Sequence, residues 1–153
     1  MVIRGNKMDD KEKLEREAIV KEAISWKKTP YAHMGRIKGC GVDCGMYLLE
    51  VWEKCGLLPH IEVPFYPFDI AANCSNPMYL NFVKKYCHEV KRKPLPGDII
   101  LYKFPGSKVP HHCSIVVDGE YICHAYVRQG VILSNRKGYK QYEVGLYSFN
   151  DWG

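Results

Sequence analysis

An α+β fold is what this sequence predicts, and three observations lead to it. Helical periodicity occupies the first third of the chain, and short runs rich in β-branched and aromatic residues follow Pro94-Leu95-Pro96. The two kinds of pattern are segregated rather than interleaved, which argues against a parallel α/β sheet. The 153 residues suit one compact domain, 1–153, large enough to bury a core and hold a site without disulfide staples.

The first helix is predicted over 9–28. Ile19, Ala23 and Trp26 recur at i, i+4 and i+7 with Val20 beside them, opposite many mixed charges. Lys11/Glu15 and Glu12/Arg16 are spaced to pair along its exposed side, and Pro30 ends it. The second helix is predicted from Asp43, whose side chain can cap the first turn, to Gly56, with Pro59 beyond. Cys44, Tyr47, Leu48, Val51, Trp52 and Cys55 then share one face, at offsets 0, 3, 4, 7, 8 and 11, while Glu50, Glu53 and Lys54 lie away from it. Cys44 thus occupies a helix start, faces the interior, and has open chain on its N-terminal side where a cleft can form. Residues 58–77 carry several prolines and read as an irregular connection, followed by a short helix over 78–86. The segments IILYKF, HCSIVV, EYICHAY, GVILS and YEVGLYSF then read as strands of an antiparallel sheet.

Composition excludes several classes. No apolar run approaches the ~18 residues of a membrane span, so none is expected. The N-terminus lacks the basic start, apolar middle and small-residue cleavage site of a secretory signal, so the expectation is cytoplasmic synthesis, with any action outside the cell relying on another delivery route. A formal charge of +5 favours polyanions, but the basic stretch KKYCHEVKRK (84–93) has no nucleic-acid motif and reads as a solvated charged loop. Nucleic acid is therefore not an expected partner. Seven cysteines, an odd number without a framework spacing, favour reduced thiols. Cys40, Cys44, His111, His112, Cys113, Cys123 and His124 are all metal-ligand types, yet no paired CxxC or HxxxH spacing accompanies them; neither metal nor cofactor is expected.

Cys44 can be a small buried hydrophobe or a nucleophile. A helix N-terminus carries about half a positive charge and unsatisfied amides, which favour a thiolate and can stabilise an oxyanion. Lowering a thiol pKa from about 8.5 to about 6 requires ~3.4 kcal/mol, and a helix terminus gives ~2 at best, so a cationic partner must supply the rest. The suggestive histidines lie in HHCSIVVDGEYICHAY, a hairpin turning at Asp118-Gly119. With a two-residue turn, Val117 pairs with Glu120 and His124 lies across from Cys113. With a three-residue loop over 117–119 and Gly119 left-handed, Ile115 pairs with Tyr121, His112 lies across from His124, and Cys113 across from Cys123. Only the second brings two imidazoles face to face, one to take the thiol proton and one to orient it. Asp-Gly slightly favours the first, so local rules leave the register open. His111 is expected to point to the other face, at the surface, and His33, His60 and His88 read as ordinary loop or helix-end residues.

TPYAHMGRIKGCGVDCGMYLLEVW, PLPGDIILYKF and HCSIVVDGEYICHAYVRQGV together resemble the NlpC-type cell-wall peptidases, over roughly residues 26–133, with greatest similarity to the branch found in phage tail-assembly and gene-transfer-agent modules. The resemblance implies a papain-like fold, with N-terminal helices, the cysteine helix among them, packed on an antiparallel sheet. It implies Cys44 as nucleophile, His112 as general base and later acid, and His124 as the orienting third member, and it favours the three-residue loop. It also implies Tyr31 beside the nucleophile and Asp43 lining the substrate cleft. One departure is Gly45-Met46, where family members commonly carry Ser-Gly or a similar small pair.

The function expected on this basis is hydrolysis of amide bonds in peptidoglycan stem peptides by a Cys-His-His cysteine peptidase through an acyl-enzyme. An acyl or peptidyl transferase with the same site and a catalytically silent assembly or binding module are the alternatives. Phage-tail or particle proteins are the partners implied by the resemblance, and delivery to the wall as part of a particle fits a chain without a signal.

Overall fold

The computed structural model describes residues 8–67 and 78–153. Its elements in chain order are α1 (Asp10–Ser25), β1 (Arg36–Ile37), β2 (Gly41–Val42), α2 (Cys44–Lys54), α3 (Met78–Tyr86), β3 (Cys87–Glu89), β4 (Ile99–Tyr102), β5 (His112–Val116), β6 (Tyr121–Tyr126), β7 (Gly130–Asn135) and β8 (Glu143–Phe149), with two short 3₁₀ turns before β8. The fold is α+β, with helices first and an antiparallel sheet after them. Of the irregular connection expected over 58–77, residues 58–67 carry no helix or strand, and 68–77 lie outside the described residues.

Asp9 caps α1 by accepting from the Glu12 amide at 2.7 Å. The helix ends at Ser25, three residues earlier than the periodicity suggests. Tertiary pairing overrides propensity there: the Lys28 amide donates to the Val131 carbonyl at 3.1 Å and the Val131 amide to the Thr29 carbonyl at 2.9 Å, so the chain after Trp26 is laced to β7. The expected exposed side of α1 is also corrected. Glu12 and Arg16 do pair, at 3.3 Å, but they face inward, and Arg16 is only 2% exposed. Its guanidinium donates to the Pro96 carbonyl, Asp98 and Ser148, and lies 4.3 Å from the centre of the Trp152 ring. Glu15 accepts from the Trp152 indole instead of pairing with Lys11. A periodicity read from apolar residues alone misses a buried arginine whose three nitrogens all donate hydrogen bonds.

The main sheet has six strands in the order β3-β8-β4-β5-β6-β7, each antiparallel to its neighbours. All five expected strands are present. The sixth, β3, arises from the basic stretch expected to be a loop: Cys87 is buried, and Cys87, His88 and Glu89 pair with Phe149, Ser148 and Tyr147. Its tertiary partner lies sixty residues away in sequence, so no local signal announces it. Arg92 follows β3 and is tied to Asp98 at 2.6 Å.

The sheet is covered on both faces. On one, Ile99, Leu101, Cys113, Ile115, Cys123 and Ala125 pack with Ile19, Ala23 and Trp26 of the α1 region and the apolar face of α2. On the other, Ile100, Tyr102, Val116 and Ile122 pack with Phe104, Tyr139, Tyr142 and Leu146. Double burial explains why β4 reads as a continuous apolar run and why every residue of β5, His112 and Ser114 included, is buried. Tyr47 fixes α2 to α1 by donating to the Ala23 carbonyl at 2.7 Å. Among the described residues no helix is long and apolar enough to cross a membrane.

Candidate active site

Asp43 is the N-cap of α2, as the sequence predicts, and Cys44 is the first helical residue. One carboxylate oxygen of Asp43 accepts from the Met46 amide at 2.9 Å; the other accepts from the Met34 amide at 2.8 Å and from the Tyr66 hydroxyl. Asp43 is thereby buried, 1% exposed, with both oxygens engaged. Cys44 is buried as well, at 4% exposure. The first turn of α2 meets the sheet at the start of β5: the Cys44 thiol donates to the His111 carbonyl at 3.7 Å, and the Cys113 thiol donates to the Cys44 carbonyl at 3.5 Å. One contact of the thiol is thus with the backbone that introduces His112.

His112 and His124 come together on the face opposite α2. His112 Nε2 and His124 Nδ1 are 2.8 Å apart, with ring centroids 5.0 Å apart at 65°. The register that brings them together is neither of the two considered from local rules. Ile115 pairs with Cys123 and Val116 with Ile122, leaving a three-residue loop over 118–120 rather than 117–119. The Asp118 carboxylate determines this by accepting from the Glu120 and Tyr121 amides at 2.8 and 2.9 Å, a side-chain turn that does not require a left-handed Gly119. Continued along the strands, this pairing sets Tyr126 opposite His112, so the imidazoles meet diagonally. The same two-residue shift puts Ile115, not Cys113, across from Cys123.

Aromatic rings enclose the pair. Tyr102, Phe104 and Tyr126 surround His112, and Tyr126 and Tyr139 stand edge-on to His124 at 5.4 and 4.9 Å. Burial is the main reason both histidines favour the neutral form: it brings His124 down to about 4 and holds His112 well below its ordinary value, with His124 and then His111 adding to the effect. His124 Nε2 lies 2.9 Å from Ser134 Oγ on β7. Ser134 escapes a reading by motif, although its place follows once β6 and β7 are paired.

Tyr31 is set beside this end of α2 by a bridge to Val42 and by two backbone bonds, Val42 to Pro30 and Ala32 to Val42, at 3.0 and 3.1 Å. Its phenol pKa is raised, chiefly by burial and then by Cys44 and Asp43. Tyr66, unmarked in the sequence, completes the group. Its hydroxyl holds Asp43, its carbonyl meets His33 Nε2 at 2.7 Å, and burial followed by Asp43 raises its own pKa. A proline-rich connection carries no periodicity by which such a residue could be found.

His111 is half-buried, packed on Phe104 with Nε2 3.3 Å from Ser107 Oγ, rather than at the surface. His60 is exposed between Glu53 and Glu62. The donor atoms of Glu50, Glu53 and His60 lie within 4.8 Å of one another, but Arg36 already pairs with Glu50 at 2.8 Å. Among the described residues, Cys40, Cys55, Cys87, Cys113 and Cys123 are free thiols.

No protein-family model and no curated protein matches this sequence. Solved structures do. The NlpC/p60 domain of the peptidoglycan hydrolase SagA superposes with a TM-score of 0.58 at 19% identity, covering 88% of this chain and 98% of that one. NlpC2 from Trichomonas vaginalis gives 0.66 at 14% identity, covering 91% of this chain and 48% of that one. An NlpC/P60 family protein from Bacillus cereus gives 0.61 at 18% identity, covering 88% and 40%. The chain therefore spans nearly the whole SagA domain and less than half of the other two, and its fold is that of the NlpC/p60 domains.

Proposed function

We propose that this chain, folded as an NlpC/p60 domain, is a cysteine peptidase that hydrolyses amide bonds in peptidoglycan stem peptides. The observation that carries the reading is the buried imidazole pair, 2.8 Å between nitrogens, at the same strand end where the Cys44 thiol reaches the His111 carbonyl. The substrate class rests on the fold shared with a domain described as part of a peptidoglycan hydrolase.

In this reading His112 takes the Cys44 proton, a transfer aided by the positive end of α2. The thiolate attacks the scissile carbonyl carbon, and the amide at the start of α2 stabilises the oxyanion. As the C–N bond breaks, His112 returns the proton to the leaving amine. Water then attacks the thioester, His112 takes its proton, and the carboxylate product leaves as the thiol is restored. His124 orients the base, Tyr31 shapes the approach to the thiol, and Asp43 positions it through α2 and Tyr66. Particle-borne delivery, as in phage tail modules, is the setting that the motifs suggest.

Stem peptides incubated with the protein and with Cys44→Ala test the reading. New amino termini with the parent protein and none with the variant are expected. Amine-exchanged products would instead assign a transferase, and identical inert mixtures a silent module.

A further inference from the structure

We infer that Ser134 is a positioning residue of the imidazole relay: it accepts a hydrogen bond from Nε2 of His124 and thereby fixes the tautomer of His112. The inference rests on the reading of Cys44 as nucleophile and His112 as base. His112, His124 and Ser134 form a chain across three strands, with contacts of 2.8 and 2.9 Å. Both links run diagonally. Ser134 pairs with Ile122 and His124 with Ile132, so His124 reaches Ser134 one pleat along, as it reaches His112. Tyr126 and Tyr139 stand edge-on to the His124 ring and restrict its rotation.

A neutral imidazole has one N–H and one lone pair, so the chain has two polarities. If Ser134 accepts from His124 Nε2, then His124 Nδ1 is bare and accepts from His112 Nε2. His112 Nδ1 then holds the free lone pair, ready for the thiol proton. If Ser134 donates instead, every hydrogen reverses, and His112 carries its proton on Nδ1, where it cannot act as a base toward sulfur. Only the first polarity fits the proposed mechanism, and the placement of Ser134 permits it. Ser134 lies on the terminal strand of the sheet and is half-buried, so its own hydroxyl proton can be given to solvent while its lone pairs face the ring. His124, fully buried, must satisfy both nitrogens internally.

Imidazole ¹⁵N NMR on the full chain reads the polarity directly. Nε2–H tautomers are expected for both His112 and His124 in the parent protein. In Ser134→Ala, His124 should populate Nδ1–H, and turnover and Cys44 alkylation near neutral pH should fall about five-fold without a change in KM, the scale of one ordinary hydrogen bond. Ser134→Thr, which keeps the hydroxyl, should restore both. A parent protein with His124 protonated on Nδ1, or a Ser134→Ala protein with unchanged tautomers and rates, overturns the inference. If the parent protein cleaves no stem peptide, the peptidase reading fails on its own, and the tautomer measurement still decides what Ser134 does.

Discussion

The side chain most constrained at the candidate site is Asp43, more so than the thiol beside it. Its carboxylate is buried and accepts from Met46, Met34 and Tyr66, so it joins the helix start, the loop before β1 and the connection after α2. Removing it breaks a cap and strands the half-buried Met34 amide and the buried Tyr66 hydroxyl, whereas truncating Cys44 removes one sulfur. Asp43→Ala is therefore expected to cost about 3 kcal/mol, from a cap worth about 1 and charged hydrogen bonds worth about 1.5–3 each, less than additively. Cys44→Ala should cost less than half of that. Urea unfolding midpoints compare the two, and equal losses would show that the carboxylate does not anchor this corner. A cap is legible from an Asp before an apolar run, but the second and third donors are not, because they arrive from outside the helix.

At the scale of elements, turns and lacing decide what strand patterning leaves open. The strands were legible because β-branched and aromatic runs between turn residues carry a local signal; the register was not, because Asp118 sets it through a side-chain turn that Asp-Gly alone does not specify. The β6–β7 connection carries the same lesson. Gly130 opens β7 at φ 76°, and a Cβ there would sit 2.3 Å from the Thr29 carbonyl oxygen. That oxygen accepts from Val131, the bond that ends α1 early and sets the Thr29-Pro30-Tyr31 segment beside Cys44. Gly130→Ala meets both a left-handed conformation and a backbone clash, each costing on the order of 1–3 kcal/mol. The expected result is a lower thermal midpoint and faster hydrogen exchange at the Lys28 and Val131 amides. Unchanged exchange at those amides would mean that the contact is easily accommodated.

Across the whole molecule, long-range polar order is what the sequence hides. Arg16 joins α1 to the turn before β4, to β8 and to Trp152, and nothing in the spacing of apolar residues distinguishes it from the solvated lysines nearby. The imidazole pair is similar: the two histidines and their spacing are visible, while their burial depends on a second apolar layer, Tyr102, Phe104, Tyr126 and Tyr139, that closes only when the sheet forms. That burial makes stability depend on pH. His124 ordinarily titrates near 6.5 and is brought down to about 4 by desolvation. As pH falls from about 6.5 to about 4, the unfolded chain takes up a proton that the folded chain refuses, so stability declines through this window and levels off below it. A shift of this size corresponds to about 3 kcal/mol for His124, and His112 is displaced in the same direction. His60 shifts the opposite way, raised chiefly by its hydrogen bond to Glu53, but it is exposed and solvent-screened. Urea unfolding at pH 7 and pH 4.5 should therefore show a marked loss in the parent protein and a clearly smaller one in His124→Gln, which keeps a polar group at the Ser134 contact without the titration. Equal losses in the two proteins would place the acid sensitivity elsewhere and remove the case that the pair is held neutral by burial.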